Sequence, residues 1–318
     1  MGKRNDDREP IWTAISLRYA AYIALRLRKL MESISKPPSP VVVLGMHRSG
    51  TTLVTRLLEK MGVFMGWRKD NNHEALFFQG LNDWLLMQSG GSWDFPEPFH
   101  VFLRDADLRP LAVDYLRLVC RSPQAFSYLG PVRALKHLRV ANLSEKWGWK
   151  DPRNTITLPL WLDMFPHARL IHVVRHGVDV ARSLEMRRKR NLAALIDRYR
   201  RLRVLHGLIL KRTRFGESSR CASLSDSFAL WRDYMLWADA SLSGHGAAVL
   251  ELRYESLLAE PVSHVERLAS FVGVDCPFHI IPDLVSAFVE ARGMAYKTDP
   301  DLLDFAERHQ DQLARFGY

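Results

Sequence analysis

Gly45-Met46-His47-Arg48-Ser49-Gly50-Thr51-Thr52 places one cation and three hydroxyls around two glycines. It follows the apolar run Val41-Val42-Val43-Leu44 and precedes Leu53, Leu57, Leu58 and Met61 at helical spacing. The unit therefore reads as strand, glycine loop, helix. In that setting backbone N–H groups converge on an anion at the positive end of the helix. The spacing follows the nucleoside-triphosphate loop G-x-x-x-x-G-K-[ST] in its glycines and in Thr52, but Thr51 replaces the lysine and the cation is Arg48. Moving a γ-phosphoryl group also calls for an acidic residue at a strand end to hold Mg²⁺. Here the run Leu170 to Val174 ends in Arg175 instead. The pattern points to an anion site that works without a metal.

A second basic anchor is Arg175-His176-Gly177-Val178-Asp179-Val180-Ala181-Arg182-Ser183. Arg175 stands at the C-terminal end of a strand, where open α/β sheets bind ligands, and Ser183 follows two helical turns on. Arg175 alone also fits a structural ion pair, with Asp179 as its partner. Lys150, in Trp149-Lys150-Asp151-Pro152, ends another short strand.

These anchors need a frame of parallel strands. Strands are expected near Val41 to Leu44, Lys146 to Lys150, Arg169 to Val174 and Ala247 to Leu252, with helices between them. The alternation implies an α/β fold: a three-layer parallel sheet with helices on both faces. Long insertions at 66–142 and 191–243 interrupt it and are expected to shape the acceptor pocket. Residues 1–36 read as a basic amphipathic helix and a proline linker, 41–290 as the main domain, and 291–318 as a tail packing on it.

Composition narrows the classes. The 318 residues carry 45 Lys and Arg against 35 Asp and Glu, a formal charge of +10, and 47% are hydrophobic. A chain of this kind is globular and long enough for one large domain with insertions. Between Arg182 and Arg220 there are 13 Lys and Arg and 3 Asp and Glu, which accounts for the whole excess. No recognised nucleic-acid module accompanies it, so nucleic acid is not an expected partner. Solvation of a helix face, attraction of an anionic acceptor and peripheral membrane contact all fit the stretch, and the N-terminal helix also fits membrane contact. Three scattered cysteines form neither a disulfide framework nor a metal spacing, and the expected location is cytoplasmic.

The two anchors in this order, about 130 residues apart, resemble those of the sulfotransferases that use 3′-phosphoadenosine 5′-phosphosulfate (PAPS). GMHRSGTT looks like their 5′-phosphosulfate loop and RHGVDVARS like their 3′-phosphate motif. Lys150-Asp151-Pro152 and Arg253-Tyr254-Glu255-Ser256-Leu257 are similar to segments of the tyrosylprotein and bacterial members more than of the cytosolic steroid and phenol branch. The resemblance runs from about Val41 to Val274. It implies the P-loop-like sulfotransferase fold, PAPS as sulfuryl donor and no metal. Arg48, Ser49, Gly50, Thr51 and Thr52 would hold the 5′ end, and Arg175 and Ser183 the 3′-phosphate. Lys150 would act at the bridging oxygen.

The proton acceptor is less legible. Pro152 stands where the steroid and phenol branch has its catalytic histidine, and the resemblance turns to Glu74, with His73 and Asp151 as alternatives. The acceptor itself is open among small molecules such as phenols, carbohydrates, lipids and peptides. Arg253 and Tyr254 fit either nucleotide contact or anchoring of the sheet edge, and Arg292, Gly293 and Lys297 loosely resemble a late contact to the 3′-phosphate. A kinase of a nucleotide or sugar, and a non-catalytic module binding PAP (adenosine 3′,5′-bisphosphate, the donor's remnant) or a polyanion, are the alternative functions.

Overall fold

The computed structural model describes residues 39–137, 139–140, 143–208, 218–243, 246–275 and 294–318. The expected N-terminal helix, residues 276–290 of the expected domain, Arg292 and Gly293 lie outside them. Four parallel strands form one sheet: β1 (Val41–Leu44), β2 (Gly148–Lys150), β3 (Arg169–Val174) and β4 (Ala248–Arg253), in the order β2-β1-β3-β4. Val42 pairs with Trp149 on one side and Leu170 on the other, and Ile171 pairs with Leu250. The last strand begins and ends one residue later than its sequence pattern suggested.

Alternation along the strands supplies two cores. Val42, Leu44, Leu170 and Val174 join one buried cluster, whereas Val41, Val43, Ile171, Val173, Leu250 and Leu252 join another. Each face is therefore dry and covered, as parallel sheets require. On the second face lie α1 (Thr51–Lys60), through Leu53, Val54, Leu57 and Leu58, and a C-terminal helix Pro261–Val272, through Val265, Leu268, Ala269 and Val272. Burying each such aliphatic side chain contributes about 2 kcal/mol.

The first insertion is helical: α2 (Leu76–Gln88), α3 (Glu97–Arg104), α4 (Leu108–Cys120) and α5 (Phe126–His137), which bends at Gly130 (φ 71°) before Pro131. The stacking of Phe78 on Trp149, 4.1 Å between centroids at 7°, fixes α2 to β2. After β2 comes α6 (Asn154–Met164), and after β3 the 25-residue α7 (Gly177–Arg201), whose first turns are buried and whose remainder runs into solvent. The second insertion therefore starts inside α7. It continues through α8 (Arg203–Leu208) to α9 (Leu224–Leu242), which Ser223 caps by accepting from the Asp226 N–H.

Beyond β4 run α10 (Tyr254–Ala259), α11 (the Pro261–Val272 helix), α12 (Pro300–Arg308) and α13 (Gln310–Ala314). The helix α12 and the residues after α13 pack on α9, with Phe305 edge-on to Phe228 at 5.5 Å and Phe316 edge-on to Trp231 at 5.3 Å. Among the described residues no helix is long and apolar enough to cross a membrane.

Candidate functional site

The glycine loop turns sharply between β1 and α1. Gly45 has φ 136° and its N–H donates to Thr155 Oγ1 at 3.1 Å; a Cβ there would stand 2.3 Å from the carbonyl oxygen of Val173. Gly50 has φ 98° and lies against Tyr254, so close that a Cβ would come within 2.2 Å of the ring. Arg48 also takes positive φ, 72°, which is uncommon for a residue with a side chain. Ser49 is buried and its hydroxyl has no hydrogen-bond partner among the described residues. Thr52 Oγ1 donates to the carbonyl oxygen of Asn72 at 3.1 Å.

The second anchor closes onto the first. Arg48 Nε donates to Ser183 Oγ at 2.9 Å, and an Arg175 Nη1–H donates to the Arg48 carbonyl at 3.3 Å. Arg175 also pairs with Asp179 at 3.4 Å and stands 4.7 Å over the Tyr254 ring. The ion pair with Asp179 and the approach to the loop therefore coexist. Asp179 accepts in addition from the Tyr296 N–H at 2.9 Å.

Lys150, at the end of β2, donates to Glu74 Oε1 at 3.0 Å, and both side chains are almost wholly buried. Glu74 Oε2 accepts from Gln79 at 2.9 Å and lies 3.8 Å from Arg153. Burial pushes the Glu74 carboxyl above the ordinary glutamate range, while the Lys150 ammonium opposes that rise. A polar network holds the pair from behind. Asn82 donates to Asp151 and Asn154, each at 2.9 Å, and accepts from Thr157 Oγ1 and Trp161 Nε1, each at 2.8 Å. Asn154 in turn donates to the Val43 carbonyl at 2.9 Å and accepts from Trp149 Nε1 at 2.9 Å, tying α2, α6, β2 and β1 together.

One cavity of about 320 Å³ is lined by Arg48, Gly50, Thr51, Thr52, Glu74, Lys150, Arg175 and Ser183, with Ser49 buried just behind it. Of the three residues considered as proton acceptor, Glu74 alone lines it. His73 faces Glu59 at 2.9 Å and accepts from Arg56 at 3.1 Å, and Asp151 is enclosed with Asn82 and Arg153. The insertions contribute unequally: Asn72 and Glu74 come from the first, and among the described residues none comes from 191–243.

Arg253 and Tyr254 divide their two expected roles. Tyr254 lines the cavity, whereas Arg253 donates to the carbonyls of Phe316 and Gly317 at 3.0 and 2.9 Å. Lys297 stands over Tyr296, 6.0 Å from its centroid, and it is Ala295 of that segment that lines the cavity.

Some lining residues were not expected to carry the site: His47 reads from the sequence as a structural or supporting group of the loop, not as a base. His47 lines the cavity with its Nε2 buried and, among the described residues, without a hydrogen-bond partner. Burial, then the charges of Arg187, Arg153, Lys150 and Arg48, hold its pKa far below that of an ordinary histidine, so the ring is neutral. Arg182, Met186, Arg187 and Arg190 form a wall from α7. Their three- and four-residue spacing after Asp179 was visible, but so many arginines around them obscured it.

The geometry brings together the glycine loop, an arginine and a serine eight residues apart, and a buried lysine–carboxylate pair. The family model described as the sulfotransferase family matches residues 40–278. The chain belongs to the sulfotransferase family. Sulfuryl transfer is the chemistry of that family. Among solved structures, a sulfotransferase from Alicyclobacillus acidocaldarius is 17% identical over 87% of this chain and 94% of its own, with a TM-score of 0.45. The sulfotransferase domain from the curacin biosynthetic pathway is 17% identical over 81% of each chain, with a TM-score of 0.43. A sulfotransferase from Mycobacterium tuberculosis H37Rv is 15% identical over 83% of this chain and 75% of its own, with a TM-score of 0.39. No curated protein sequence matches the chain. Among the described residues of this sulfotransferase, no three His, Cys, Asp or Glu side chains are grouped to hold a metal ion.

Proposed function

We propose that this protein transfers a sulfuryl group from PAPS to a hydroxyl or amine of an acceptor. The observation that carries this reading is the Lys150–Glu74 pair, 3.0 Å apart, lining the same cavity as the glycine loop and Arg175. The donor's fit is supported by the buried Ser49 hydroxyl, unpartnered among the described residues, and by the cradle at Gly50, where a side chain would strike Tyr254. Arg48, Ser49, Gly50, Thr51 and Thr52 are assigned to its 5′ end, and Arg175 and Ser183 to its 3′-phosphate.

PAPS, when bound, supplies a sulfuryl group whose S–O bond to the 5′-phosphate breaks as the acceptor's bond to sulfur forms. Lys150 and Arg48 place positive charge where negative charge grows on the departing phosphate. Glu74 takes the acceptor's proton, and its burial makes it a stronger base than an exposed carboxylate. Asp151 fixes Arg153, and Arg153 lies 3.8 Å from Glu74 and steadies it. A carboxylate base, with Pro152 in place of a histidine, sides with the tyrosylprotein-like branch.

The test is calorimetry with PAP in the absence of Mg²⁺, followed by incubation with sulfur-labelled PAPS and a cell extract. Saturable binding and a labelled product are expected. A well-folded sample that does not bind PAP overturns the reading, and binding without turnover over a broad acceptor panel leaves a non-catalytic module in its place.

A further inference from the structure

One face of α7 lines the cavity from end to end: Asp179, Arg182, Ser183, Met186, Arg187 and Arg190 recur every three or four residues. The two ends of this wall meet different surroundings. At the first end Asp179 holds Arg175 and Ser183 holds Arg48, the groups assigned above to the donor. Arg182 is engaged by Glu185 at 3.0 Å.

A turn farther on, the Arg187 guanidinium stands 5.7 Å from the Trp93 ring centroid, and Trp93 is edge-on to His47 at 4.7 Å. His47 lines the same cavity as Lys150 and Glu74, so the chain of contacts from Arg187 through Trp93 to His47 joins this part of the wall to the cavity that holds the pair. Arg190 follows three residues later, about 4.5 Å along the axis. It is exposed and in no ion pair among the described residues.

A neutral acceptor lying on this wall would strip water from the exposed Arg190 without replacing it. An anionic group would return charge-assisted hydrogen bonds. The excess of 13 Lys and Arg over 3 Asp and Glu between Arg182 and Arg220 also makes the approach attractive to anions.

We propose that the acceptor is itself an anion: its reacting hydroxyl or amine faces Glu74, while a phosphate, sulfate or carboxylate on the same molecule is held by Arg187 and Arg190. This rests on the reading of the cavity as a sulfuryl-transfer site. In the step, the donor's S–O bond to phosphate breaks, the acceptor's O–S or N–S bond forms, the displaced proton passes to Glu74 and PAP departs. The product thus carries one more negative charge than the acceptor.

The experiment divides an extract of the producing organism on an anion exchanger and incubates the flow-through and the retained fraction with the full-length protein and sulfur-labelled PAPS. Label is expected in the retained fraction. Prior phosphatase treatment removes the acceptor if it is a phosphate monoester and spares it if it is a sulfate or carboxylate. Arg187→Gln and the exposed Arg190→Gln should each raise KM for that acceptor about ten-fold, with kcat much less affected and PAP affinity unchanged. Label entering the flow-through alone overturns the proposal, whereas label in neither fraction counts against the sulfuryl-transfer reading on which it rests. Variants that weaken PAP binding and leave KM unaltered also overturn the proposal. Failure of the wild-type protein to bind PAP refutes the reading of the site instead, which separates the two outcomes.

Discussion

Lys150 Nζ lies 3.0 Å from Glu74 Oε1, with 1% and 5% of the two side chains exposed. Burying two charges costs several kcal/mol that their attraction only partly returns, and removing one partner strands the other. Lys150→Met should therefore cost about 3 kcal/mol in urea unfolding as well as turnover. Glu74→Gln should leave PAP affinity within a few-fold and lower kcat by a factor of about 100 to 10,000. The double variant should regain stability without regaining turnover. Because burial raises the Glu74 pKa, the acidic limb of kcat/KM should fall at a higher pH than an exposed glutamate would give, and it should vanish in any residual activity of Glu74→Gln.

Arg48 and Arg175 meet through the backbone of one and the side chain of the other, and Ser183 closes the group. Arg175→Ala should weaken PAP binding about 100-fold, the loss of a charge-assisted contact to phosphate together with the support it gives the loop. Ser183→Ala should cost about ten-fold, because Arg48 loses its 2.9 Å acceptor and a phosphate loses a donor. Calorimetry without Mg²⁺ reads both, and equal affinities for wild type and Arg175→Ala would remove the 3′-phosphate assignment.

Local pattern made the anchors legible. A strand, two glycines and a helix are contiguous in the chain, and the backbone of Gly45 and Gly50 takes conformations that favour glycine. Lys150 and Glu74 were readable as separate candidates, but their pairing joins residues 76 positions apart and depends on Phe78 stacking on Trp149. Asn82 gave no signal at all. A lone asparagine in an apolar helix reads as an ordinary polar position until α6 is folded across it. Arg253 and Tyr254 could not be separated in sequence because their roles depend on the C-terminal residues, which return to the sheet from more than sixty positions away.

Asn82 is fully buried and joined by four hydrogen bonds to Asp151, Asn154, Thr157 and Trp161. Asn82→Leu fills similar space but leaves those buried groups short of partners, at about 1 to 3 kcal/mol for each one not re-paired. The expected loss is at least about 3 kcal/mol in urea unfolding, accompanied by lower kcat as Asp151 and Arg153 shift behind Glu74. A variant as stable as the wild type would show that the network does not hold the site.

Glu255 links Tyr318 to the segment that begins at Arg175. Its Oε1 accepts from the His176 N–H at 2.8 Å, next to Arg175, and its Oε2 accepts from Tyr318 O–H at 3.0 Å. Tyr318→Phe keeps the ring and removes this bond, so about 1 kcal/mol of stability and a few-fold in PAP affinity should be lost. Deleting residues 316–318 should do more, since Phe316 is buried against Trp231 and the carbonyls that hold Arg253 go with it.

His172 sits inside β3, paired in register with Leu44 and Glu251, and burial followed by the Arg253 charge lowers its pKa to about 4. In the unfolded chain it takes a proton at about 6.5. Between those values the unfolded state binds more protons than the folded one, so stability is lost as pH falls from about 6.5 to about 4. The full effect is about 3 kcal/mol, with no further loss from this group at lower pH. Urea midpoints measured from neutral pH downward should decline over that window, and His172→Leu should flatten the decline. Part of the slope should persist in the variant, because burial and the charges of Lys297 and Arg175 also lower His176 to about 4. An unchanged slope in His172→Leu would mean that the folded sheet accommodates the protonated ring.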